Sequence, residues 1–396
     1  MIKISIRKMS QYIESLFEIS KKLVSQSVID SYFFPQNDND MYSIMRFCRE
    51  AFSHYLELNF PRLNTNRKFN IYENTFAEET ILVIEIGGTK TTVQKISTIN
   101  DEKIIYPQDV EAVLKTIDNL SELVSVQEFI LWISDLINTY KGDCQKIAIN
   151  LAGAVDEAGI VLLSPPNIKV QDMIGINLVQ ELQKRCQNLH IKIFNDTESV
   201  MAAQFVNKQK NEKQIIIDIN GTGNNNAIYD DQHIIHNLET GHVKCIPQES
   251  IYVDFEKATG GRNGVEKNFN EILFDTKIER QYYDTQEIYN MAFEKKSEYD
   301  KTNQLLLDIA SLVYNRVFFY KAISFISIAA FSLEKKIDKN HENILFVLFG
   351  GINKSPKSIE MIKEYLQYFQ QDINLEYTNF GEDAGRYGAA MMMNAK

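Results

Sequence analysis

A short apolar strand that ends in glycine occurs twice in this sequence, and this repetition narrows the choice of folds more than any other pattern in it. Residues 81–86 are almost all apolar, and Gly87, Gly88 and Thr89 follow them directly. A second apolar run at residues 93–96 comes next, so the segment predicts a tight β-hairpin. Because glycine lacks a Cβ atom, the backbone of such a turn can come close to a bound anion.

The same order of residue types returns at residues 217–223, where apolar and acidic residues alternate before Gly221, Thr222 and Gly223. Another apolar segment follows at residues 227–229. A single Gly-Gly-Thr would be weak evidence, since most glycine turns are only turns. Two hairpins of the same design predict two similar half-structures with a phosphate group held between them.

Composition limits the class of protein. The chain has 396 residues, which is long enough for two or three domains with a sizeable core. Its net charge of −11 argues against a nucleic acid as the main ligand. The four cysteines are scattered without a CxxC pair, which indicates a reducing cytoplasm rather than a disulfide scaffold or a zinc cluster. No uncharged apolar run reaches about 18 residues, so we expect no membrane span.

Strands and helices alternate after residue 80. Apolar runs predict strands at residues 147–151, 191–194 and 344–349, and helical spacing predicts a helix at residues 126–140. This alternation predicts an α/β fold with parallel strand pairing. Residues 302–334 are strongly apolar and predict two packed helices.

The chain ahead of the first hairpin predicts a helical extension over residues 1–77. Within residues 41–58, the spacing of Ile44, Phe47, Ala51 and Tyr55 predicts one buried helix face. A winged DNA-binding module is the alternative. However, residues 1–80 hold ten Lys and Arg against ten Asp and Glu, and a DNA-binding module needs a basic face. We favour a helical extension packed on the body of the protein.

Asp196 is the first candidate for chemistry. It stands at the carboxyl end of a predicted strand, and Thr197 follows it at the start of a helix. One interpretation is a helix N-cap, because Asn, Asp and Thr all cap helices. The other is a catalytic base that takes a proton from a substrate hydroxyl, because ligands bind at the carboxyl ends of strands in α/β proteins. The sequence alone leaves both interpretations open.

Two glutamates further along could accept hydrogen bonds from sugar hydroxyls. Glu239 begins the run Glu-Thr-Gly-His that ends at His242, and Glu266 lies two residues after Gly264. A lone glutamate or histidine is more often structural or solvated. His242 and Cys245 could suggest a metal, but no further ligands stand at zinc spacing, so we expect no metal site there.

With these residues in view, the chain resembles the sugar kinases of the actin-like ATPase superfamily, with features of both the hexokinase and the ROK families. The first turn resembles their first phosphate motif, the second turn resembles the second phosphate motif in its hexokinase form, and a glycine pair after a strand resembles the adenosine motif. The residues concerned are Gly87, Gly88, Thr89 and Lys90, then Gly221, Thr222 and Gly223, then Gly350 and Gly351. Residues 381–390 resemble the C-terminal signature of these kinases.

The resemblance also assigns roles around the sugar. The run from Phe194 to Thr197 is similar to the hexokinase Asn-Asp-Thr motif, in which the aspartate, here Asp196, is the catalytic base and the asparagine, here Asn195, binds the sugar. The ROK motifs imply sugar contacts from a further four residues: Glu239, His242, Glu266 and Asn167. The zinc-binding cysteines of the ROK family are missing, so we expect no zinc.

One position departs from the family pattern. The first phosphate motif normally carries an aspartate that is held near Mg²⁺ through water, and this chain has Glu85 there. The longer side chain could still reach a hydrated metal ion.

The resemblance therefore implies two actin-like (ribonuclease H-like) α/β lobes around a central cleft. We expect a small lobe over residues 78–205 and a large lobe over residues 206–396, whose C-terminal helix returns to the small lobe. The implied protein is a cytoplasmic, ATP- and Mg²⁺-dependent hexose kinase that acts on O6 of its sugar. The alternative is a catalytically silent sugar sensor on the same fold. The identity of the sugar, the phosphoryl donor and the role of the extension stay open, and the extension could mediate contacts in a homo-oligomer.

Overall fold

The computed structural model describes residues 38–63, 67–69, 79–87, 91–101, 104–111, 123, 125–164, 170, 172–205, 214–248, 251–274, 282–294, 304–338, 343–378 and 380–394. Four of the predicted site residues, Gly88, Thr89, Lys90 and Asn167, lie outside the described residues. The first part of the predicted extension, residues 1–37, lies outside them as well.

The described part of the chain contains β-strands and α-helices. The strands are β1 (Arg67–Lys68), β2 (Thr80–Ile86), β3 (Thr91–Asp101), β4 (Ile104–Glu111), β5 (Lys146–Leu151), β6 (His190–Asn195), β7 (Gln214–Asn220), β8 (Asn224–Tyr229), β9 (Ile234–Asn237), β10 (Lys244–Gln248), β11 (Ile251–Asp254), β12 (Ile344–Phe349) and β13 (Asn374–Tyr377). The α-helices are α1 (Asp38–Leu63), α2 (Val126–Tyr140), α3 (Leu178–Arg185), α4 (Asp196–Gln204), α5 (Glu256–Thr259), α6 (Lys267–Phe274), α7 (Thr285–Tyr289), α8 (Gln304–Lys335), α9 (Pro356–Tyr368) and α10 (Ala384–Asn394). Short 3₁₀ and π turns lie at Thr240–His242, Gly261–Glu266, Asn290–Glu294, Ile352–Lys354 and Gly381–Asp383.

Two sheets with the same internal arrangement carry the two glycine turns. The first sheet has the strand order β4-β3-β2-β5-β6, and the second has the order β1-β9-β8-β7-β12-β13. Strand β2 runs antiparallel to β3 and parallel to β5, and β7 runs antiparallel to β8 and parallel to β12. Each hairpin therefore occupies the same place in its own sheet. The predicted α/β fold with two related halves is confirmed.

The inner strands are buried on both faces, which explains their continuous apolar sequences. In β7, Ile216 faces a core that contains α8, whereas Ile217 faces a second core that contains α4 and α10. In β2, Ile81 and Val83 face this same second core, so α4 and α10 lie between the two sheets. Asp196, the first residue of α4, therefore stands where the two halves of the protein meet.

Helix α10 packs unusually closely against α4. A Cβ atom added at Gly388 would lie 1.6 Å from the carbonyl oxygen of Ser199, so only glycine allows the two helix backbones this approach. The helix also contacts β2 and β5 of the first sheet, although it follows the last strand of the second sheet in the chain. The lobe boundaries at residues 77 and 205 stay predictions.

Helix α1 is amphipathic as predicted, and of the four predicted residues only Phe47 lies outside the packed face. The buried apolar side chains are those of Ile44, Cys48, Phe52 and Leu56, whereas Phe47 is 37% exposed. The predicted stripe lies beside this one, offset by one residue along most of its length. Both stripes carry apolar residues, so only packing against α8 and β10 decides which is more deeply buried.

The apolar stretch at residues 302–334 forms one helix, α8, rather than the predicted two. The helix contains neither Gly nor Pro over its 32 residues, so nothing in its sequence interrupts the hydrogen-bond ladder. By length and composition it could cross a membrane, but 78% of its most apolar window is buried inside the protein. That burial is typical of a core helix in a globular protein.

Candidate active site

Asp196 begins α4 directly after β6, and the residue before it is the N-cap. The Asn195 side chain accepts a hydrogen bond from the Thr197 amide at 2.8 Å, and Glu198 Oε2 accepts one from the Asn195 amide at 3.1 Å, which completes a capping box. The carboxylate of Asp196 accepts hydrogen bonds from the amide and the hydroxyl of Thr197 at 2.8 and 3.2 Å. Asn195 therefore performs the capping, which leaves Asp196 half-buried at the helix N-terminus.

Arg67 supports this helix start from the other sheet. Its backbone pairs with Ile235 of β9, while its Nε lies 2.9 Å from Oε2 of the fully buried Glu198. The same guanidinium donates to the carbonyl oxygen of Ile193 at 3.1 Å and lies 4.9 Å from the centre of the Phe194 ring. One arginine thus ties the second sheet to the strand and the cap that present Asp196.

Asn225 connects Asp196 to Glu239. Asn225 stands in β8, just after the second glycine turn, and its Nδ2 lies 2.8 Å from Thr197 Oγ1 and 3.2 Å from Glu239 Oε1. Asn237 Nδ2 donates to the same Glu239 oxygen at 2.8 Å. The predicted base, the predicted sugar ligand and the second glycine turn therefore meet in one hydrogen-bonded group.

Burial and a like charge shift the pKa of Asp196. Removal from water and then the Glu239 carboxylate raise it to about 7, with a smaller contribution from Glu85, while the hydrogen bonds from Thr197 oppose the shift. Burial also raises the pKa of Glu239 above its ordinary value. A carboxyl group whose pKa lies near neutrality suits proton transfer at physiological pH.

The second glycine turn is packed against two other backbone segments. Gly350 has φ of +100°, and a Cβ atom there would lie 2.1 Å from the Asn220 carbonyl oxygen. The backbone amide of Gly261 donates to the Gly221 carbonyl oxygen at 2.9 Å. The backbone amide of Asn263 donates to the Thr222 carbonyl oxygen at 3.2 Å. Gly350 thus packs directly on the strand that leads into the turn, whereas a Cβ atom at Gly351 would meet nothing within 4 Å. The role of both residues in adenosine binding stays a prediction.

The two acidic positions of the repeated pattern each pair with a distant cation. Glu85 accepts hydrogen bonds from Asn150 Nδ2 at 3.2 Å and from Arg386 Nη1 at 3.3 Å, and Arg386 also pairs with Asp383. A carboxylate so engaged retains lone pairs for the water of a hydrated cation, and Mg²⁺ bound to phosphates keeps several waters and needs one or two carboxylates. A place for Glu85 beside the water of a hydrated Mg²⁺ therefore stays a prediction.

Asp218, the counterpart of Glu85 in β7, is more deeply buried than Glu85. It forms an ion pair with Lys321 of α8, and both side chains are completely buried. Asn353 Nδ2 donates to the Asp218 carboxylate at 2.8 Å, and Asn224 Nδ2 donates to it at 3.0 Å. This cluster fixes the strand under the second glycine turn.

The remaining predicted sugar ligands fall in two places. His242 is 44% exposed, and its Nε2 lies 4.0 Å from Glu239 Oε2, so it adjoins the Asp196 group. The carboxylate of Glu266 instead accepts from the hydroxyl of Thr285 at 2.8 Å and from that of Tyr282 at 3.1 Å. These contacts hold Glu266 against the start of α7, and its role in sugar binding stays a prediction.

Glu256 is a candidate site residue that the sequence analysis did not single out. A Cβ atom added at Gly223 would lie 2.5 Å from Glu256 Oε2, so this carboxylate stands at the second glycine turn. Burial raises the pKa of Glu256, and its charge in turn raises the pKa of Glu239. In the sequence, the feature that could have pointed to Glu256 is its place four residues before the glycine pair Gly260 and Gly261.

Two topologically matched halves, each with an antiparallel hairpin beside a parallel strand, are typical of the actin-like ATPase fold, as the resemblance predicted. The sequence model of the ROK family matches residues 81–396, and the chain belongs to this family. No curated protein sequence matches the chain.

Solved structures share this fold at low sequence identity. The hexokinase of Schistosoma mansoni, solved with glucose, has a TM-score of 0.65 and 14% identity over 96% of this chain and 99% of that one. A ROK family glucokinase of Streptomyces griseus, solved with glucose and AMPPNP, has a TM-score of 0.53 and 16% identity over 78% of this chain and 98% of that one. A ROK family transcriptional regulator, a homologue of the E. coli MLC protein, has a TM-score of 0.54 and 18% identity over 80% of this chain and 78% of that one. The structural match with the hexokinase covers more of the chain than residues 81–396, so it includes residues before residue 81.

Proposed function

We propose that this protein is an ATP-dependent hexose kinase with Asp196 as its general base. The observation that carries the proposal is the position of Asp196, whose pKa is raised to about 7 and which is joined through Thr197 and Asn225 to the second glycine turn. A kinase of this class requires that a base for the sugar hydroxyl and a cradle for the phosphates face each other. The glucose bound in the two kinase structures above supports a hexose as the acceptor.

Five residues would bind the sugar around Asp196. Asn195 is fixed by its cap contacts, Glu239 is aimed by Asn225 and Asn237, and Glu256 and His242 stand beside Glu239. Carboxylates accept strong hydrogen bonds from hydroxyl groups, so each acid can fix one sugar hydroxyl. Asn167 completes the proposed set by resemblance.

Asp196 would act on the hydroxyl that receives the phosphoryl group, which we propose is O6. The ionised carboxylate takes the hydroxyl proton while the sugar oxygen forms a bond to the γ-phosphorus, and the bond to the β–γ bridging oxygen breaks to release ADP. Gly87, Gly221, Thr222 and Gly350 would hold the nucleotide on backbone. Bound ATP and Mg²⁺ would supply the transferable phosphoryl group and the charge that neutralises it. The four free, buried cysteines support a reducing compartment, and we propose the cytoplasm.

Activity is expected to depend on pH through Asp196. Because the protonated acid cannot accept a proton, kcat/KM should fall about tenfold per pH unit below about 7 and level off above it. The Glu239→Gln change removes a negative neighbour that raises this pKa, so the midpoint should move to lower pH. Initial rates from about pH 5.5 to 8.5 would test both points. A flat profile in the wild-type protein would contradict the role of Asp196.

A coupled assay with ATP and Mg²⁺ over a panel of sugars tests the activity itself. The panel should hold glucose, mannose, fructose and their N-acetylamino relatives, and we expect ADP release with at least one of them. ADP release without sugar is the control for ATP hydrolysis, which closure of the site should suppress. If no sugar in the panel is phosphorylated, the kinase proposal is contradicted.

The second candidate function is a sugar sensor without catalysis. The ion pair between Glu85 and Arg386 favours it, because the carboxylate expected near Mg²⁺ is already engaged by a cation. In the same assay, sugar binding without phosphorylation would support the sensor. Binding is measured by the rise in thermal midpoint with each sugar.

A further inference from the structure

Helix α1 lies ahead of the ROK match, which begins at residue 81, yet it packs on the segment that carries the proposed sugar ligands. The thiol of Cys48 lies 3.7 Å from the carbonyl oxygen of Cys245, three residues after His242. The ring of Phe52 meets that of Phe255 edge-on, with centres 5.1 Å apart. Phe255 immediately precedes Glu256, so the buried face of α1 packs on the segment from Glu239 to Glu256 at two places.

Tyr55 reaches from α1 to Glu239 itself. Its hydroxyl donates to the Glu239 carbonyl oxygen at 2.8 Å. The same oxygen accepts a second hydrogen bond from the His242 amide at 3.2 Å. Burial and the nearby carboxylates of Glu239 and Asp254 raise the pKa of Tyr55, so the hydroxyl keeps its proton and remains a donor.

The backbone at Glu239 needs such support. Its φ is +49°, in the left-handed region that residues with a Cβ atom seldom occupy. A residue held in this region persists only where its surroundings fix it. The Glu239 amide has a hydrogen bond to Asn237 Oδ1 at 3.3 Å, which is longer than the bond from Tyr55 to its carbonyl oxygen.

The direction of the Glu239 side chain follows from this backbone. Its Oε1 accepts hydrogen bonds from Asn237 and Asn225 at 2.8 and 3.2 Å, and both contacts require the Cα atom of Glu239 to stay in place. Without the Tyr55 hydroxyl, the left-handed residue could relax and turn the carboxylate away from the Asp196 group.

We infer that Tyr55 is a positioning residue for Glu239, and that the segment ahead of the ROK match completes the sugar site. This inference rests on the proposed function, because it takes Glu239 as a sugar ligand. It assigns α1 to sugar affinity rather than to nucleotide binding.

The test is the Tyr55→Phe variant, which keeps the ring and removes only the hydroxyl. Its matched control is Tyr42→Phe, on the same helix, where the ring stacks on Tyr368 at 6.2 Å between centres. We expect Tyr55→Phe to raise the dissociation constant of the best-bound hexose, measured by calorimetry, about 3- to 10-fold, which is the effect of one lost hydrogen bond. The KM for ATP should match that of the control.

Two results would overturn the inference, and they differ. A Tyr55→Phe variant with the hexose affinity of the Tyr42→Phe control, or with KM for ATP raised in parallel, shows that Tyr55 does not position Glu239 while leaving the kinase proposal intact. A wild-type protein that binds no hexose overturns the proposed function and the inference together.

Discussion

Replacing Asp196 by asparagine is expected to lower turnover with the best sugar by about 10²- to 10⁴-fold, which is the usual contribution of a general base. The change keeps the shape of the side chain but removes the acceptor for the hydroxyl proton. Hexose affinity, measured by calorimetry, should stay within a few-fold of the wild-type value, because Asn195, Glu239 and Glu256 remain. Steady-state rates in the coupled assay give the turnover number.

Stability provides the control for this variant. Since burial and Glu239 disfavour the charged form of Asp196, its removal is expected to leave the thermal midpoint unchanged or higher. Asp135→Asn, at an exposed position of α2, is the matched substitution and should change neither turnover nor stability. Near wild-type turnover in Asp196→Asn would exclude the residue as base, and a large loss of stability would make the lost activity uninformative.

The Lys321→Met variant is expected to lower the free energy of unfolding by about 3–5 kcal/mol. The substitution leaves the Asp218 carboxylate buried and without its cation, under the second glycine turn. Urea unfolding followed by circular dichroism would measure the change. Lys354→Met is the matched control, because Lys354 and Glu382 pair at 3.0 Å with side chains 63% and 64% exposed. Breaking an exposed pair of this kind should change stability by less than about 1 kcal/mol.

The double variant Asp218→Asn with Lys321→Met separates charge from packing. If the loss in Lys321→Met comes from an unpaired buried carboxylate, neutralising that carboxylate should restore part of the stability. Equal losses in the single and double variants would mean that packing of the lysine stem, rather than its charge, supports β7.

Local patterns were enough to predict the two hairpins, helix α2 and strand β12, because strand and helix periodicity are written in consecutive residues. The position of Asp196 after β6 follows from equally local signals, although the residue that caps the helix is Asn195 rather than Asp196. The most deeply buried stripe of α1 was not predictable in this way. Two adjacent stripes of that helix are apolar, and the body of the protein decides which is more deeply buried.

The contacts that support the site could not be predicted, because they join residues far apart in the chain. Tyr55 and Glu239 are 184 positions apart, and neither carries a motif that names the other. Arg67 lies outside every motif, yet it holds the capping glutamate of α4. Lys321 did offer a signal, since a single lysine in the middle of an apolar helix requires a buried acidic partner.

The close contact between α10 and α4 has a consequence for synthesis. Helix α4 leaves the ribosome long before α10 does, and until α10 arrives nothing fills its place between the two sheets. From the synthesis of α4 until that of α10, the nascent chain therefore carries an uncovered apolar surface, which is the condition in which large proteins are prone to aggregate. The carboxylate at position 196 acquires its final surroundings only when that late helix docks.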